Sequence, residues 1–274
     1  MQVSPYVYQM HYNDHSDFHP GGSSNYFVGD PEDEMVLIDA GDLQRAWTDS
    51  ILDYHESLGS PRVKAIMITH GHPDHIGGLD RLQEAFDCVV HCHSSLAGRL
   101  ARMLGDDAVQ ALKWRSRVEI GDVLGIRPVF TPGHTEDHLC YYFPKDRVMF
   151  TGDTVLGASS TSVSDVATYM RSLRVLGAYR HKIICPGHGP VAHPPRGPRL
   201  VREYIEHRMR REWQVLSAVR EGCETAAEVT LAVYGDNLKR SLRAAAERNV
   251  VAHMRKLIEE GEVVEEGDVR YSPA

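Results

Sequence analysis

Between Thr69 and Gly78 the chain reads THGHPDHIGG, four metal-ligating side chains within six residues, directly after the apolar strand-like run Val63–Thr69. Few folds accept such a segment. A strand has to stop at Thr69, a helix has to begin near Ile76, and the polar loop between them has to open onto a pocket. In extended backbone, residues two apart point the same way, so His70 and His72 aim at one position. Pro73 ends the extended stretch, and Asp74 and His75 turn toward a second position. Three later segments repeat the pattern of an apolar run, a Gly or Pro turn and one ligand-type residue. PVFTPGHT places His134, RVMFTGDT places Asp153 and KIICPGHGP places His188. Laid side by side, these strands bring their ends to one edge. The chain has 16 histidines in 274 residues, and these loops give five of them a common purpose.

The other elements follow from residue type and punctuation. Strands are expected at Val3–Met10, Asn25–Val28, Met35–Ile38 and Cys88–His91, then at Val118–Ile120, Ile126–Thr131, Leu139–Phe143, Val148–Thr151 and Lys182–Cys185. Each is rich in β-branched and aromatic residues and bounded by Gly, Pro, Asp or Ser. Helices are expected at Leu43–Ser57, Gly78–Ala85, Leu96–Leu104, Ala108–Trp114 and Val163–Leu176. Strands recurring between helices predict a layered α/β protein. Pro194, Pro195, Gly197 and Pro198 then punctuate the chain. Beyond them lie helices Leu200–Val219, Ala226–Tyr234 and Leu238–Glu260 and a terminal hairpin turning at Glu266-Gly267, a winged-helix-like pattern. The expected division is residues 1–198 and 199–274.

THGHPDHIGG, TPGHT, TGDT and PGHGP, in this order and spacing, resemble the metal motifs of the metallo-beta-lactamase superfamily, and VLIDAG upstream resembles its early Asp motif. The resemblance spans residues from about 23 to 190. It is nearest to the beta-lactamase-like protein 2 branch, through Thr131–His138 (TPGHTEDH) and Gly152–Gly157 (GDTVLG). It implies a four-layer αββα sandwich followed by a small winged-helix domain. It also implies that His70, His72 and His134 hold a first metal and that Asp74, His75 and His188 hold a second. Asp153 would bridge the two, and Asp39 would stand behind a ligand and orient it by a hydrogen bond. Asp74 and Asp153 are the expected catalytic carboxylates.

Five imidazoles, two carboxylates and no thiolate suit zinc first, and also manganese or iron. Two divalent ions, two carboxylates and a bridging hydroxide leave a formal charge of about +1, which attracts a carbonyl oxygen or an anion. The expected chemistry is attack by that hydroxide on an electrophilic carbon or phosphorus. His138, His207 and Arg208 are candidate substrate contacts, with an ordinary strand histidine as the other reading of His138. His11, His15 and His19 in HYNDHSDFHPGG read as a solvated loop, with another metal site or the entrance of the pocket as the other reading, and Cys88 and Cys92 around His91 and His93 as strand residues rather than a zinc knuckle. Ser24-Asn25-Tyr26 stands where the branch has a Thr-Asn-Thr-Tyr run.

The net charge of −8 argues against grip on nucleic acid by bulk charge. From Arg196 to Arg220 the balance is +4, and from Glu221 onward it is −4. A duplex-reading module would show the reverse, so the terminal module is expected to wall the substrate groove or cover it. No apolar run approaches the roughly 18–20 residues that cross a bilayer, and the first residues show no basic start followed by an apolar stretch. Five scattered cysteines fit reduced thiols and a cytoplasmic setting. The leading reading is a hydrolase of acyl bonds (thioester, ester, lactone or lactam) on a small-molecule substrate. The alternatives are a phosphodiesterase acting on single-stranded RNA, as described for the human member of the branch, and a non-enzymatic metal-dependent binding protein.

Overall fold

The computed structural model describes residues 1–122, 124–236, 238–266 and 270–274. The first half contributes β1 (Gln2–Ser4), β2 (Val7–Tyr12), β3 (Ser23–Gly29), β4 (Glu34–Ile38), α1 (Arg45–Ser57), β5 (Arg62–Met67), α2 (Pro73–Ile76), α3 (Leu79–Phe86), β6 (Val89–Cys92), α4 (Ser94–Leu104) and β7 (Val109–Ala111). The second contributes β8 (Val118–Ile120), β9 (Leu124–Phe130), β10 (Leu139–Phe143), β11 (Val148–Gly152), α5 (Val166–Gly177) and β12 (Ile183–Pro186). The chain ends with α6 (Gly197–Arg220), α7 (Ala226–Tyr234), α8 (Arg240–Glu259), β13 (Val263–Glu266) and β14 (Arg270–Pro273).

Strands β1 to β7 form one sheet in sequence order, and β12-β11-β10-β9-β8 form the second. The period-2 alternation of side chains explains why both are buried on two faces. In β4, Val36 and Ile38 enter the core between the sheets, while Met35 and Leu37 face the helices with Trp47 and Ile51 of α1. In β10 and β11, Tyr141, Phe143, Val148 and Phe150 fill the same inter-sheet core, while Cys140 and Met149 meet Tyr169 and Leu173 of α5 and Leu200 of α6. The result is the four-layer αββα arrangement. A fully buried aliphatic or aromatic side chain contributes about 1.5–3 kcal/mol, and the inter-sheet core is built from such residues.

Two elements differ from expectation. Val3–Met10 is not one strand but two, turning at Pro5-Tyr6, with Gln2 opposite Tyr8. Pro5 has no N–H to give a ladder, and the chain turns there. Ala108–Trp114 is not helical. A single 3₁₀ turn at Asp106–Ala108 leads into β7, which pairs parallel with β6 and extends the sheet. Val109 and Leu112 have the i, i+3 spacing of a helix face, but the open edge of β6 offered the segment's backbone a ladder, and that tertiary demand overrode propensity.

Helix α6 serves two cores. Leu200, Val201 and Tyr204 pack on the second sheet with α5. Val215, Ala218 and Val219 pack with Val229 of α7, Val250, Met254 and Leu257 of α8 and Val263 and Tyr271 of the terminal hairpin. The expected turn residue Gly267 lies outside the described residues, and Glu266 pairs with Arg270. The first half of α8 and the residue before it reach back over the end of the sandwich. Asn249 Oδ1 accepts from Val163 N at 2.9 Å, and Asp17 accepts from Lys239 Nζ at 2.6 Å and Ser241 Oγ at 2.9 Å. Among the described residues no helix is long and apolar enough to cross a membrane.

Candidate metal centre

The ends of β4, β5, β9, β11 and β12 and the start of β3 meet at one rim of the sandwich. Backbone bonds across the sheets hold them in register: Leu139 N donates to Thr69 O, Gly187 N to Gly152 O and Ser24 N to Gly187 O. Tyr141 Oη and Tyr26 Oη add bonds to the carbonyls of Ile68 and Pro186. All seven predicted ligands are brought together on this frame. His70 Nε2 lies 2.9 Å from His72 Nδ1, and His134 Nε2 lies 3.1 Å from the same atom. On the other side, Asp74 Oδ2 stands 3.6 Å from His75 Nε2 and 3.2 Å from His188 Nε2. Asp153 lies between the groups. Its Oδ1 is 3.4 Å from His75 Nε2 and 3.2 Å from His188 Nε2, and its Oδ2 is 3.6 Å from His134 Nε2.

Outer partners fix which nitrogen of each ring carries the proton. Asp39, at a left-handed φ of +60°, accepts from Thr69 N at 2.7 Å, Thr69 Oγ1 at 2.8 Å and His75 Nδ1 at 2.8 Å. Since Thr69 Oγ1 donates to Asp39, it accepts from His70 Nδ1. His134 Nδ1 donates to Ser162 O at 2.7 Å. His188 Nδ1 donates to Ser23 Oγ, which donates to Asp14. In the neutral form of all four rings the inner nitrogen is therefore left with a lone pair. Lone pairs crowded together in this way repel one another unless a cation, a proton or a metal ion, sits among them. His75 Nε2, Asp153 Oδ1 and His188 Nε2 are buried and have no hydrogen-bond partner among the described residues. This donor set fits borderline divalent cations such as zinc.

Charge coupling separates the groups. Burial and its neighbours His75 and His134 push His70 well below the usual histidine range. Burial also opposes charge on His75 and His188, but the carboxylates outweigh it. Asp39, Asp74 and Asp153 hold His75 well above the usual range, and Asp153 with Asp74 raises His188 to about 9. Asp74 and Asp153 are in turn held low, against their burial, by His75 and His188.

The predicted substrate contacts are not at the cleft. His138 is fully buried. Its Nε2 accepts from Asp153 N at 3.1 Å, so Nδ1 carries the proton toward Thr131 and Thr154. It positions the backbone that presents Asp153. Arg208 is 2 % exposed. It lies over the Tyr169 ring and donates to Thr161 O, bracing the segment whose Thr161 hydroxyl touches His134. His207 is half-buried, pushed down to about 4 by burial and by Arg208, Arg211 and Arg210, and is not a lining residue of the cleft. Asn25, of the Ser24-Asn25-Tyr26 run, accepts from the Trp47 indole at 2.8 Å.

Of the three N-terminal histidines, His19 takes the less favoured reading and lies at the cleft. Its ring stacks on His188 with centroids 3.7 Å apart, its Nδ1 is 2.5 Å from Asp14 Oδ2 and its Nε2 is 3.4 Å from Asp74 Oδ2. The signal was its turn, HPGG, which has the same His-beside-Pro-Gly form as TPGHT and PGHGP. His11 and His15 are exposed as expected. Cys88 and Cys92 are buried free thiols, pushed up by burial to about 11 and about 12, and His93 caps α4. The cleft holds about 390 Å³. Its floor is His72, Asp74, His134, Asp153, His188 and His19, and its opposite wall includes Phe18, Leu156, Tyr234, Leu238 and Leu242.

Residues 19–188 match the family model described as the metallo-beta-lactamase superfamily, and residues 225–271 match the beta-lactamase associated winged helix domain. The chain is 31% identical to a beta-lactamase-like protein 2 homolog of Caenorhabditis elegans, over 88% of this chain and 80% of that protein. It is also 31% identical to an atrochrysone carboxyl ACP thioesterase of Aspergillus fumigatus, over 78% of this chain and 69% of that protein. A solved beta-lactamase domain protein from Burkholderia ambifaria superposes with a TM-score of 0.82 at 22% identity, covering 100% of this chain and 93% of that one.

Proposed function

This chain belongs to the metallo-beta-lactamase superfamily and is a hydrolase, and from that premise we propose that it works with two divalent ions, zinc by preference, on an acyl bond. One observation carries the reading: Asp153 turns one carboxylate oxygen to each of two histidine groups. His70, His72 and His134 would hold one ion, Asp74, His75 and His188 the other, and Asp153 both. When bound, the metal supplies Lewis acidity, which makes hydroxide available from water near neutral pH and polarises a substrate oxygen.

The protein's own residues do the rest. Asp39 and Thr69 keep the inner nitrogens of His75 and His70 directed inward, Ser23 and Asp14 do so for His188, and Ser162 for His134. The apolar wall of α7 and α8 receives the body of the substrate and excludes water, which strengthens every polar contact on the floor. Hydrolysis joins water's oxygen to the acyl carbon and breaks the bond to the leaving sulfur, oxygen or nitrogen, which departs with a proton. Support for acyl over phosphodiester cleavage comes from this apolar wall, from the acidic total charge and from the relative named as a thioesterase. The five free cysteines support a cytoplasmic setting.

The test is a panel on metal-loaded protein comprising an acyl thioester, a lactone, a chromogenic lactam and labelled single-stranded RNA. Acyl hydrolysis that is lost in Asp74→Ala is expected. RNA cleavage without acyl hydrolysis would reverse the assignment. Metal binding itself should release protons. Without metal, His75 and His188, raised to about 9 in the latter case, hold their protons at pH 7. A cation must displace them, so apparent affinity should rise with pH, about tenfold per unit for each proton displaced, up to about pH 9. Calorimetric zinc titration in two buffers of different ionisation heat reads this directly, and identical heats in both would count against it.

A further inference from the structure

A cavity of about 760 Å³ lies at the rim of the sandwich opposite the metal centre. Arg147 and Lys182 line it and stand directly before β11 and β12, the parallel strands whose far ends lead to Asp153 and His188. At about 3.3 Å per residue those strands put roughly 15–20 Å between the two sites, and no residue lines both. Arg147, Arg180, Lys182 and Arg202 line the cavity, and among the described residues no carboxylate does. In a chain of net charge −8 this is a local charge of +4. Arg202 has only a loose ion pair, with Glu206 at 4.0 Å, and among the described residues the other three have none. Arg147 adopts a left-handed φ of +58°. Its carbonyl accepts from Lys182 N at 2.7 Å and its Nε donates to Arg180 O at 2.7 Å, which fixes the guanidinium. Such a backbone in a non-glycine residue persists only where the surroundings impose it, and it gathers at ligand clamps. His181 is 6 % exposed and lines the same cavity. The carbonyls of Tyr179 and Gly197 lie near it, yet neither ring nitrogen has a hydrogen-bond partner among the described residues. A buried polar group in that condition calls for a partner. Tyr179, Val201 and Ile205 give the cavity an apolar face.

We propose that this cavity is a second ligand site, remote from the metal centre, for a small organic diphosphate. Arg147, Arg180, Lys182 and Arg202 hold the two phosphate groups, His181 supplies a further hydrogen bond, and the organic body lies against Tyr179, Val201 and Ile205. A phosphate group carries about −1.5 to −2 at neutral pH, so two of them are needed to balance four cations. Arginine suits them because its planar fork of donors matches phosphate oxygens. The volume is that of a small-molecule site, about 300–1,000 Å³. The apolar face distinguishes the ligand from inorganic pyrophosphate, which has nothing to place there. A nucleoside diphosphate and a short isoprenyl diphosphate share the required chemistry.

The test is calorimetric titration of zinc-loaded protein with ADP, dimethylallyl diphosphate, inorganic pyrophosphate and adenosine, at constant ionic strength. One of the two organic diphosphates should bind with one-to-one stoichiometry and more tightly than pyrophosphate, and adenosine should not bind measurably. ADP against dimethylallyl diphosphate shows whether the body is a nucleoside or an aliphatic chain. In Arg180→Gln/Lys182→Gln the affinity should fall by about tenfold or more, as the loss of charge-assisted hydrogen bonds implies. Both side chains are exposed, so the variant is expected to fold, and circular dichroism checks it. Binding that survives in the double variant places the diphosphate on the metal centre and overturns the proposal. Pyrophosphate binding as tightly as both organic diphosphates overturns it too, as does the failure of either to bind. Single-stranded RNA binding that strengthens with length, with neither diphosphate bound, reassigns the surface to nucleic acid. Each of these outcomes leaves the acyl-hydrolase reading untouched.

Discussion

Asp153→Ala should lower turnover by about 10³-fold or more and leave a folded protein that no longer retains its full metal complement. Asp153 faces His134 with one oxygen and His75 and His188 with the other, so its loss weakens both positions together. Lewis-acid stabilisation contributes several kcal/mol to such transition states, and each 1.36 kcal/mol is about tenfold in rate. Loss of the carboxylate also leaves His75 and His188 beside one fewer anion, and their protons are then held less tightly. Metal analysis by mass spectrometry together with steady-state rates measures both effects. Full activity at full metal content would refute the shared-carboxylate arrangement. Asp39→Ala makes the graded comparison. It removes the acceptor for Thr69 N, Thr69 Oγ1 and His75 Nδ1 but no inward-facing donor, and such outer partners are worth about 10–100-fold in metal affinity or activity.

Gly133→Ala should destabilise the protein by about 2–6 kcal/mol. The residue sits at φ +132°, and an added Cβ would lie 2.5 Å from the Cα and Cβ of Tyr169 and 2.6 Å from its N. The obstacle is mostly backbone at the first turn of α5, which cannot step aside as a flexible side chain would. Backbone strain of about 1–3 kcal/mol adds to overpacking of about 1–3 kcal/mol. At about 2–4 °C per kcal/mol for a chain of this size, the midpoint should fall by roughly 10 °C. Gly133 precedes His134, so any accommodation also moves a proposed metal ligand. Thermal unfolding with and without zinc separates the two consequences. An unchanged midpoint would mean that α5 yields more readily than its packing implies.

The strands and their ligand loops were legible because each carried a local rule. Alternation buried both faces of β4, β10 and β11, and a glycine or proline turn then presented His134, Asp153 and His188 just past β9, β11 and β12. What failed depended on neighbours distant in sequence. Val109–Ala111 became a strand because β6 had an unpaired edge, which the i, i+3 spacing of Val109 and Leu112 cannot reveal. His138 and Arg208 were marked by residue type, but their burial is set by Gly152 and by the segment at Thr161, and both turned inward to brace the donors. His19 went the other way. Its polar surroundings read as solvent, yet Asp14 and His188, 169 residues further on, gather it into the floor of the cleft. Tautomer control likewise could not be read in advance, because Ser23, Thr69 and Ser162 are ordinary residues until folding sets them against ring nitrogens.

The continuity of α6 decides how a molecule gets in. One unbroken helix is anchored in the sandwich at Leu200 and Tyr204 and in the terminal module at Val215 and Val219, so the module cannot swing away as a hinged door without tearing a core. The weak seam is elsewhere, where Asp17 meets Lys239 and Ser241 at the protein surface. An exposed ion pair contributes only about 0–1 kcal/mol, so this seam parts easily while the roof above the cleft stays fixed. The loop that carries His19 is thus tied to α8 more lightly than the terminal module is tied to the sandwich.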